Sequence, residues 1–437
     1  MKYHLFSSSA VCWGGRKAIT GNFRVILYLL CVLLVPSFTA RAELTLPDAE
    51  LIALGSDPVV KADVARAEAL QNDAVASGQL PDPKINFGLF NVPLDSFSLT
   101  ENPTTQARLG ITQAFPRGSS LEYKQRRIEW QSRAQTERST DEQRKVQREV
   151  REKYLEVYFQ VRAGDIIQSS QKLFRQLVTI TQAQFASGRV SQQDVLNARL
   201  ELSRLKDRET RIKTTEETTR ATLEQWLGRA AWEVLDPRFP QLPAVPDEKM
   251  ITKSLDQHPM LKMKAAQVEA SNQAIQIARE QYKPGWNVGL QYRQRFGQEP
   301  DGTDRSNMMA AMVTFDLPLF TGQRQDKRLT ASQQNASAAK LDRVDTMRKL
   351  KSSLQAEYTR WQRLAEREDL YRTNLLKESA ANANAALNAY QSGTTEFTTL
   401  MRARLTELNV RLEELRIRVD RAKVQARLLY LASEDKK

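Results

Sequence analysis

The placement of proline constrains this chain most. None occurs between Pro116 and Pro237, and none after Pro318. Proline removes a helix hydrogen bond and clashes with the preceding turn, so its absence leaves two very long stretches free to be helical. Both carry apolar residues at steps of three and four. Val146, Val150, Tyr154, Val157 and Val161 form one seam; Val195, Ala198, Leu202 and Leu205 form a second; Leu405, Leu408, Leu412, Leu415 and Val419 form a third. These stripes are narrow, as in coiled coils, not the broad faces of globular helices. A continuous helix from Ser119 to Gln184 would run about 100 Å at 1.5 Å per residue, with Gly164 a point where it could break. Helices so long and so polar must pack side by side into an extended bundle or tube.

Each long stretch holds one copy of a short turn. Phe185-Ala186-Ser187-Gly188-Arg189-Val190 leads into Asp194-Val195-Leu196-Asn197-Ala198-Arg199-Leu200. Tyr390-Gln391-Ser392-Gly393-Thr394-Thr395 leads into Leu400-Met401-Arg402-Ala403-Arg404-Leu405. Glycine can adopt the left-handed backbone just past a helix end, and Ser191 and Thr395 can cap the helix that follows. Each copy therefore predicts a tight turn between antiparallel helices.

The copies belong to a larger duplication. Pro58, Lys61, Ala65, Glu68, Ala69, Pro83, Asn86, Gly88 and Leu89 recur as Pro259, Lys262, Ala266, Glu269, Ala270, Pro284, Asn287, Gly289 and Leu290, at a constant offset of 201 residues. The chain then divides into residues 1–42, a first repeat at 43–246 and a second at 247–437, the two repeats forming one integrated unit across a proline-rich joint at Pro237–Pro246. Residues 1–42 read as an export signal. Lys2, Arg16, Lys17 and Arg24 precede the apolar run Val25–Val35, which is shorter than the roughly 20 residues of a membrane span, and Ala40-Arg41-Ala42 fits a cleavage site. Cys31 lacks small residues before it, which argues against a lipid-anchored cysteine. Removing this segment removes both cysteines and five basic residues, so the formal charge falls from +13 to +8. His258 then stands alone, so neither a His-based metal site nor a Cys nucleophile is expected, and no cofactor with them. The remaining basic charges are interleaved along helices without a basic block, which favours solvated helix faces over nucleic acid.

Between the helices of each repeat the period changes from about 3.6 to 2. Trp286, Val288, Leu290 and Tyr292 alternate with polar residues and glycine, and Ala311, Val313, Phe315 and Leu317 repeat the pattern. The first repeat offers Ile85, Phe87 and Leu89, then Ala107, Leu109 and Ile111. The loops Val92–Thr105 and Gly297–Asn307 would close two hairpins. Strands of about ten residues have the length a membrane-crossing strand needs. Four strands cannot close a barrel, and an open edge cannot face lipid, so in a membrane several subunits must share one.

With the export signal, the duplicated helix–strand–strand–helix unit, the strand entries at Pro83 and Pro284 and the paired Ser-Gly turns in place, the chain resembles the TolC-like outer membrane efflux proteins across residues 43–437. Leu80-Pro81-Asp82-Pro83, Asn91-Val92-Pro93 and Leu109–Pro116 resemble the heavy-metal-efflux branch (CzcC/CusC-like). The resemblance implies a mainly α fold with a small β part. Long antiparallel helices form a periplasmic α-barrel tunnel, and four antiparallel strands per subunit join a twelve-stranded outer membrane β-barrel in a homotrimer. It implies a passive conduit that exports small molecules or metal ions from a Gram-negative periplasm, working with a periplasmic adaptor and an inner-membrane pump of the RND type. Its lipid-facing residues would be Ile85, Phe87, Leu89, Leu109, Ile111, Val288, Leu290, Val313 and Phe315. Its adaptor-docking tip would comprise Gly188, Arg189, Val190, Gly393, Thr394 and Thr395.

The same resemblance places the closed tunnel end at these turns, where acids of the second-repeat helix often form a ring. Here Thr399 and Arg402 occupy those positions, leaving Asp194 of the first repeat as the nearby acid. Ser191-x-x-Asp194 also has capping-box spacing, so Asp194 has a local role and a possible gate role, as partner to Arg402 of a neighbouring helix. Met308, Met309 and Met312 offer thioethers, but packing or lumen lining is the favoured reading of them. No nucleophile–base pair, phosphate loop or metal cluster suggests an enzyme. The competing reading is a soluble periplasmic coiled-coil scaffold with a small sheet.

Overall fold

The computed structural model describes residues 43–432, so the expected export signal lies outside the described residues. The chain enters through α1 (Leu46–Ser56) and α2 (Pro58–Ser77), then the hairpin β1 (Lys84–Phe90) and β2 (Gln106–Phe115). Two long helices follow, α3 (Ser120–Ala186) and α4 (Gln192–Leu227). The second half repeats the order with α5 (Glu248–Ser254), α6 (Pro259–Glu280), β3 (Gly285–Arg295), β4 (Met308–Asp316), α7 (Gln325–Leu370), α8 (Leu376–Gln391) and α9 (Phe397–Leu431).

The helix α3 is continuous over 67 residues, which is about 100 Å of rise. Gly164 does not break it: the residue faces Ile212 of α4, at 3.9 Å from where a Cβ would lie. The second long stretch is interrupted, because Tyr371–Leu375 forms a π-helical turn between α7 and α8. Such a turn inserts one residue into the helical ladder and leaves no composition signal. The helices pack as an elongated layer in which α3 touches α2, α4, α6 and α9, and α7 touches α6 and α9. The expected seams are where the core sits. Val146, Val150, Tyr154 and Val157 are buried against Ala198, Leu205, Leu408, Leu412 and Leu415, while Val161, Leu202 and Leu405 are partly buried beside them. A second core joins Ile251, Leu255 and Leu261 to Leu350, Leu354, Val424 and Leu428.

The repeats cap matching helices with different residues. Asp57 accepts the backbone N–H groups of Val59 and Val60 at the start of α2. At the corresponding place before α6, the Nδ1 of fully buried His258 accepts the Met260 N–H at 3.2 Å. His258 meets the edge of Tyr430, whose hydroxyl donates to Asp141 at 2.8 Å. Burial pulls the imidazole pKa down to about 4, so His258 is neutral at pH 7.

The four strands form one antiparallel sheet in the order β1-β2-β3-β4, leaving β1 and β4 as free edges. The first strand is 7 residues, shorter than the expected ten or so. Pro83 precedes it and Asn91, at φ 56°, ends it. Among the described residues no helix is long and apolar enough to cross a membrane.

Candidate functional site

Residues directly opposite each other in antiparallel strands project from the same side of a sheet. Register therefore shows whether the expected lipid-facing residues share a surface. Ile85 pairs with Ile111 and Phe87 with Leu109. Ile111 pairs with Leu290, Leu109 with Tyr292, and Phe115 with Trp286. Leu290 pairs with Ala311, Val288 with Val313, and Trp286 with Phe315. Leu89 lies two residues from Phe87 on β1, so all the expected residues occupy one face. That face carries no charged residue in any strand. It is also uncovered: Phe87 is 77% exposed and Ile85 73%. A row of aromatics, Phe115, Trp286 and Phe315, crosses it at the end nearest the helices, with Phe115 stacked on Trp286 at 4.2 Å. The thioethers diverge, since Met308 and Met312 lie on the opposite face and Met309 on this one. Among the described residues no group of His, Cys, Asp and Glu is placed to hold a metal ion.

Far along the chain from the sheet, the two turns share one geometry. Gly188 has φ 73° and Gly393 φ 75°, a region that side chains disfavour. In the first turn the Arg189 N–H reaches the Gln184 carbonyl at 2.9 Å and the Gly188 N–H reaches that of Phe185 at 2.9 Å. In the second, Thr394 reaches Ala389 at 2.9 Å and Gly393 reaches Tyr390 at 3.1 Å. This crossed pair of bonds closes a helix C-terminus on a glycine. A hydrogen bond from Tyr390 to Gln184 ties the turns together, and Tyr390 packs on Phe397 with ring centres 5.6 Å apart. Gly188, Arg189, Gly393 and Thr394 are exposed, and Val190 and Thr395 are half-buried.

The helices leaving the turns begin differently. Ser191 and Asp194 form a reciprocal capping box at the start of α4. The second cap is Glu396, one residue beyond the expected Thr395, and it makes no side-chain capping bond. The paired Gly-to-cap spacing explains the shift, because both turns place the cap three residues after glycine. Asp194 lies near enough to Tyr390 to help raise its pKa, behind the larger effect of burial. Thr399 and Arg402 are exposed on the first turns of α9. Arg402 lines a groove of about 320 Å³ between α4 and α9 with Asn197, Glu201, Met401 and Leu405. Within one chain Asp194 and Arg402 are not paired; the carboxylate of Asp194 is engaged with Ser191.

Residues 250–433 match the outer membrane efflux protein family. The described fold is likewise that of TolC-like channels. A membrane protein from Pseudomonas aeruginosa superposes with a TM-score of 0.77 at 15% identity, over 89% of this chain and 90% of that one. The outer membrane protein VceC from Vibrio cholerae gives 0.76 at 16% identity, over 90% and 97%. CusC, described for its folding and transmembrane channel formation, gives 0.74 at 13% identity, over 90% and 93%. No curated protein sequence matches this chain significantly. The TolC-like resemblance thus holds for the fold, and the family match covers the second half of the chain, while CusC scores no higher than VceC and the heavy-metal branch is not singled out.

Some residues that tie these TolC-like helices together escaped the sequence patterns. Glu156 of α3 accepts from Arg416 of α9 at 2.8 Å and from Lys423. Burial would raise its pKa, but these two cations overcome that and hold it at about 2. Arg404, in the Leu-Met-x-Ala-Arg motif, is buried; it bonds Glu407 at 2.9 Å and Asn384 of α8 at 3.2 Å. The i,i+3 spacing of Arg404 and Glu407 was the available signal, but their burial depends on the neighbouring helix.

Proposed function

We propose that this chain is the outer membrane channel of a tripartite efflux system. Three copies would share one twelve-stranded β-barrel in the outer membrane, and their long helices would form a tunnel reaching into the periplasm. The conduit is passive and not an enzyme: it opens a path for small solutes, and the energy comes from an inner-membrane pump, of the RND type, through a periplasmic adaptor. The turns at Gly188–Val190 and Gly393–Thr395 form the tip that meets the adaptor, and Asp194, Thr399 and Arg402 sit where the tunnel narrows. The apolar strand residues face lipid.

One observation carries this reading. A sheet with an uncharged, uncovered apolar face and two free edges stands on helices too long for a globule. Water exposes such a face at a large cost, whereas a bilayer covers it and a ring of copies pairs the edges. A soluble scaffold needs neither feature.

The test is fractionation together with export. The full chain should appear as heat-stable trimers in the outer membrane fraction, and its deletion should sensitise cells to a panel of drugs and metals. A monomer in the soluble periplasmic fraction would overturn the proposal.

A further inference from the structure

The second face of the sheet holds charge of almost one sign. Register places Lys84, Arg108, Arg293 and Arg295 there, with Asp316 the sole acid. Arg108 lies directly across from Arg293 in the β2–β3 ladder. Like charges set opposite each other destabilise a strand pair, so local stability does not account for this placement. Nor do acids on the sheet neutralise it. The Arg108 guanidinium lies 4.0 Å over the ring of Phe90, and its buried Nε has no hydrogen-bond partner. The Nε of Arg293 donates to the neutral amide of Gln291 at 2.9 Å. Arg295 alone has an acid, Glu299 at 3.2 Å. Asp316 pairs with Gly285, whereas Lys84 lies in the row of Thr112, Gly289 and Met312. That separates the acid from the nearest cation row by about 13 Å along the strand.

The same face is low. Gly110 and Ala310 stand in the row between the Arg108–Arg293 row and the Lys84 row, and Gly88 and Gly289 lie within the charged rows themselves, so small residues keep the centre of the face shallow. If the apolar face meets lipid, this open cationic face lines the barrel interior, and every copy adds the same charges. The exposed acids Asp95, Glu101, Asp301 and Asp304 belong to the loops beyond the strands. Bulk salt screens such charges over roughly 10 Å, while low-dielectric walls focus the field of charges inside a pore.

We infer that the barrel interior selects for anions, so the cargo that passes it best carries net negative charge and free metal cations are disfavoured. The inference rests on the conduit reading and specifies its substrate class. The experiment is planar-bilayer recording of the full-length trimer across a KCl gradient, reading the zero-current potential. Chloride should permeate over potassium by about tenfold at low salt, and the preference should collapse near 1 M, where the Debye length is about 3 Å. Arg108→Gln and Arg293→Gln, singly and together with Lys84→Gln, should move the ratio toward one. Lys349→Gln, on a helix and already paired with Asp345, should not move it. If the combined variant fails to assemble, either single variant and the salt dependence of the native trimer still decide. A potassium-selective current, or a ratio indifferent to the arginine changes, overturns the inference and leaves the conduit standing. Inserted trimers that pass no current at any voltage would overturn the conduit itself.

Discussion

Replacing Leu290 with arginine should prevent assembly, whereas the same change at Gln291 should not. Leu290 is central in the 11-residue strand β3, 46% exposed, between Ile111 and Ala311 on the apolar face. An arginine facing lipid near the bilayer midplane costs about 2–4 kcal/mol. In the proposed trimer, three copies in one barrel would raise this to roughly 6–12 kcal/mol, comparable to the whole stability of an ordinary domain. The neighbouring Gln291 lies on the face with Arg108 and Arg293. Arginine there forfeits the bond from Arg293, about 1 kcal/mol, and adds repulsion in water. The assay is the amount of heat-stable trimer in the outer membrane fraction at equal expression. Leu290→Arg should abolish it and Gln291→Arg should lower it at most modestly. Equal tolerance of both changes would refute the assignment of the two faces.

Other expected outcomes follow from the tips, the buried histidine and the capping box. Gly188→Val or Gly393→Val forces a branched side chain into left-handed backbone at a cost of about 1–3 kcal/mol, so export should fall while trimer level in the membrane stays normal; unimpaired export by the double variant would exclude the tips as the docking point. The unfolded chain binds a proton at His258 near pH 6.5 and the folded chain only near 4, so thermal stability should drop as pH falls through that window, by up to about 3 kcal/mol. His258→Asn keeps a capping side chain without the titration and should flatten that drop; an unchanged pH profile would count against the buried neutral imidazole. Asp194→Asn preserves an acceptor for Ser191 but removes the charge, so it separates cap from latch. If Asp194 pairs with Arg402 of a neighbouring copy, both Asp194→Asn and Arg402→Ser should raise single-channel conductance, and unchanged conductance in both would leave capping as the role of Asp194.

The parts of this molecule that were legible in the sequence are those written as a period or a repeat. Proline-free seams fixed the long helices, and Val150, Leu408 and Leu412 are buried as their spacing predicts. Alternation located all four strands, and because register follows the apolar pattern, Ile85 through Phe315 share a face without any further assumption. The glycine turns carried their own geometry. What was not legible depends on neighbours brought together by the fold. Glu156 reads as an ordinary surface acid until α9 places Arg416 and Lys423 against it. The π turn at Tyr371–Leu375 widens one turn inside the second long helical stretch, and no residue type announces it. The second helix cap was misplaced by one residue because Thr395 is the better capping side chain, yet the fixed turn geometry puts Glu396 in that position.

The duplication explains why these misses fall mostly in the second repeat. A repeated unit keeps what both copies need: the proline before the strand, the alternation, the glycine of the turn. Residues that act between copies are free to differ. Asp57 and His258 cap corresponding helices, but only His258 must also fit under Tyr430 beside Asp141. Arg199 and Arg404 end corresponding motifs, but only Arg404 is buried against another helix. After the glycine turns the first repeat keeps an acid in a closed capping box, while the second has no side-chain cap and exposes Arg402. Shared residues therefore specify the elements, and the differences between repeats specify how those elements meet.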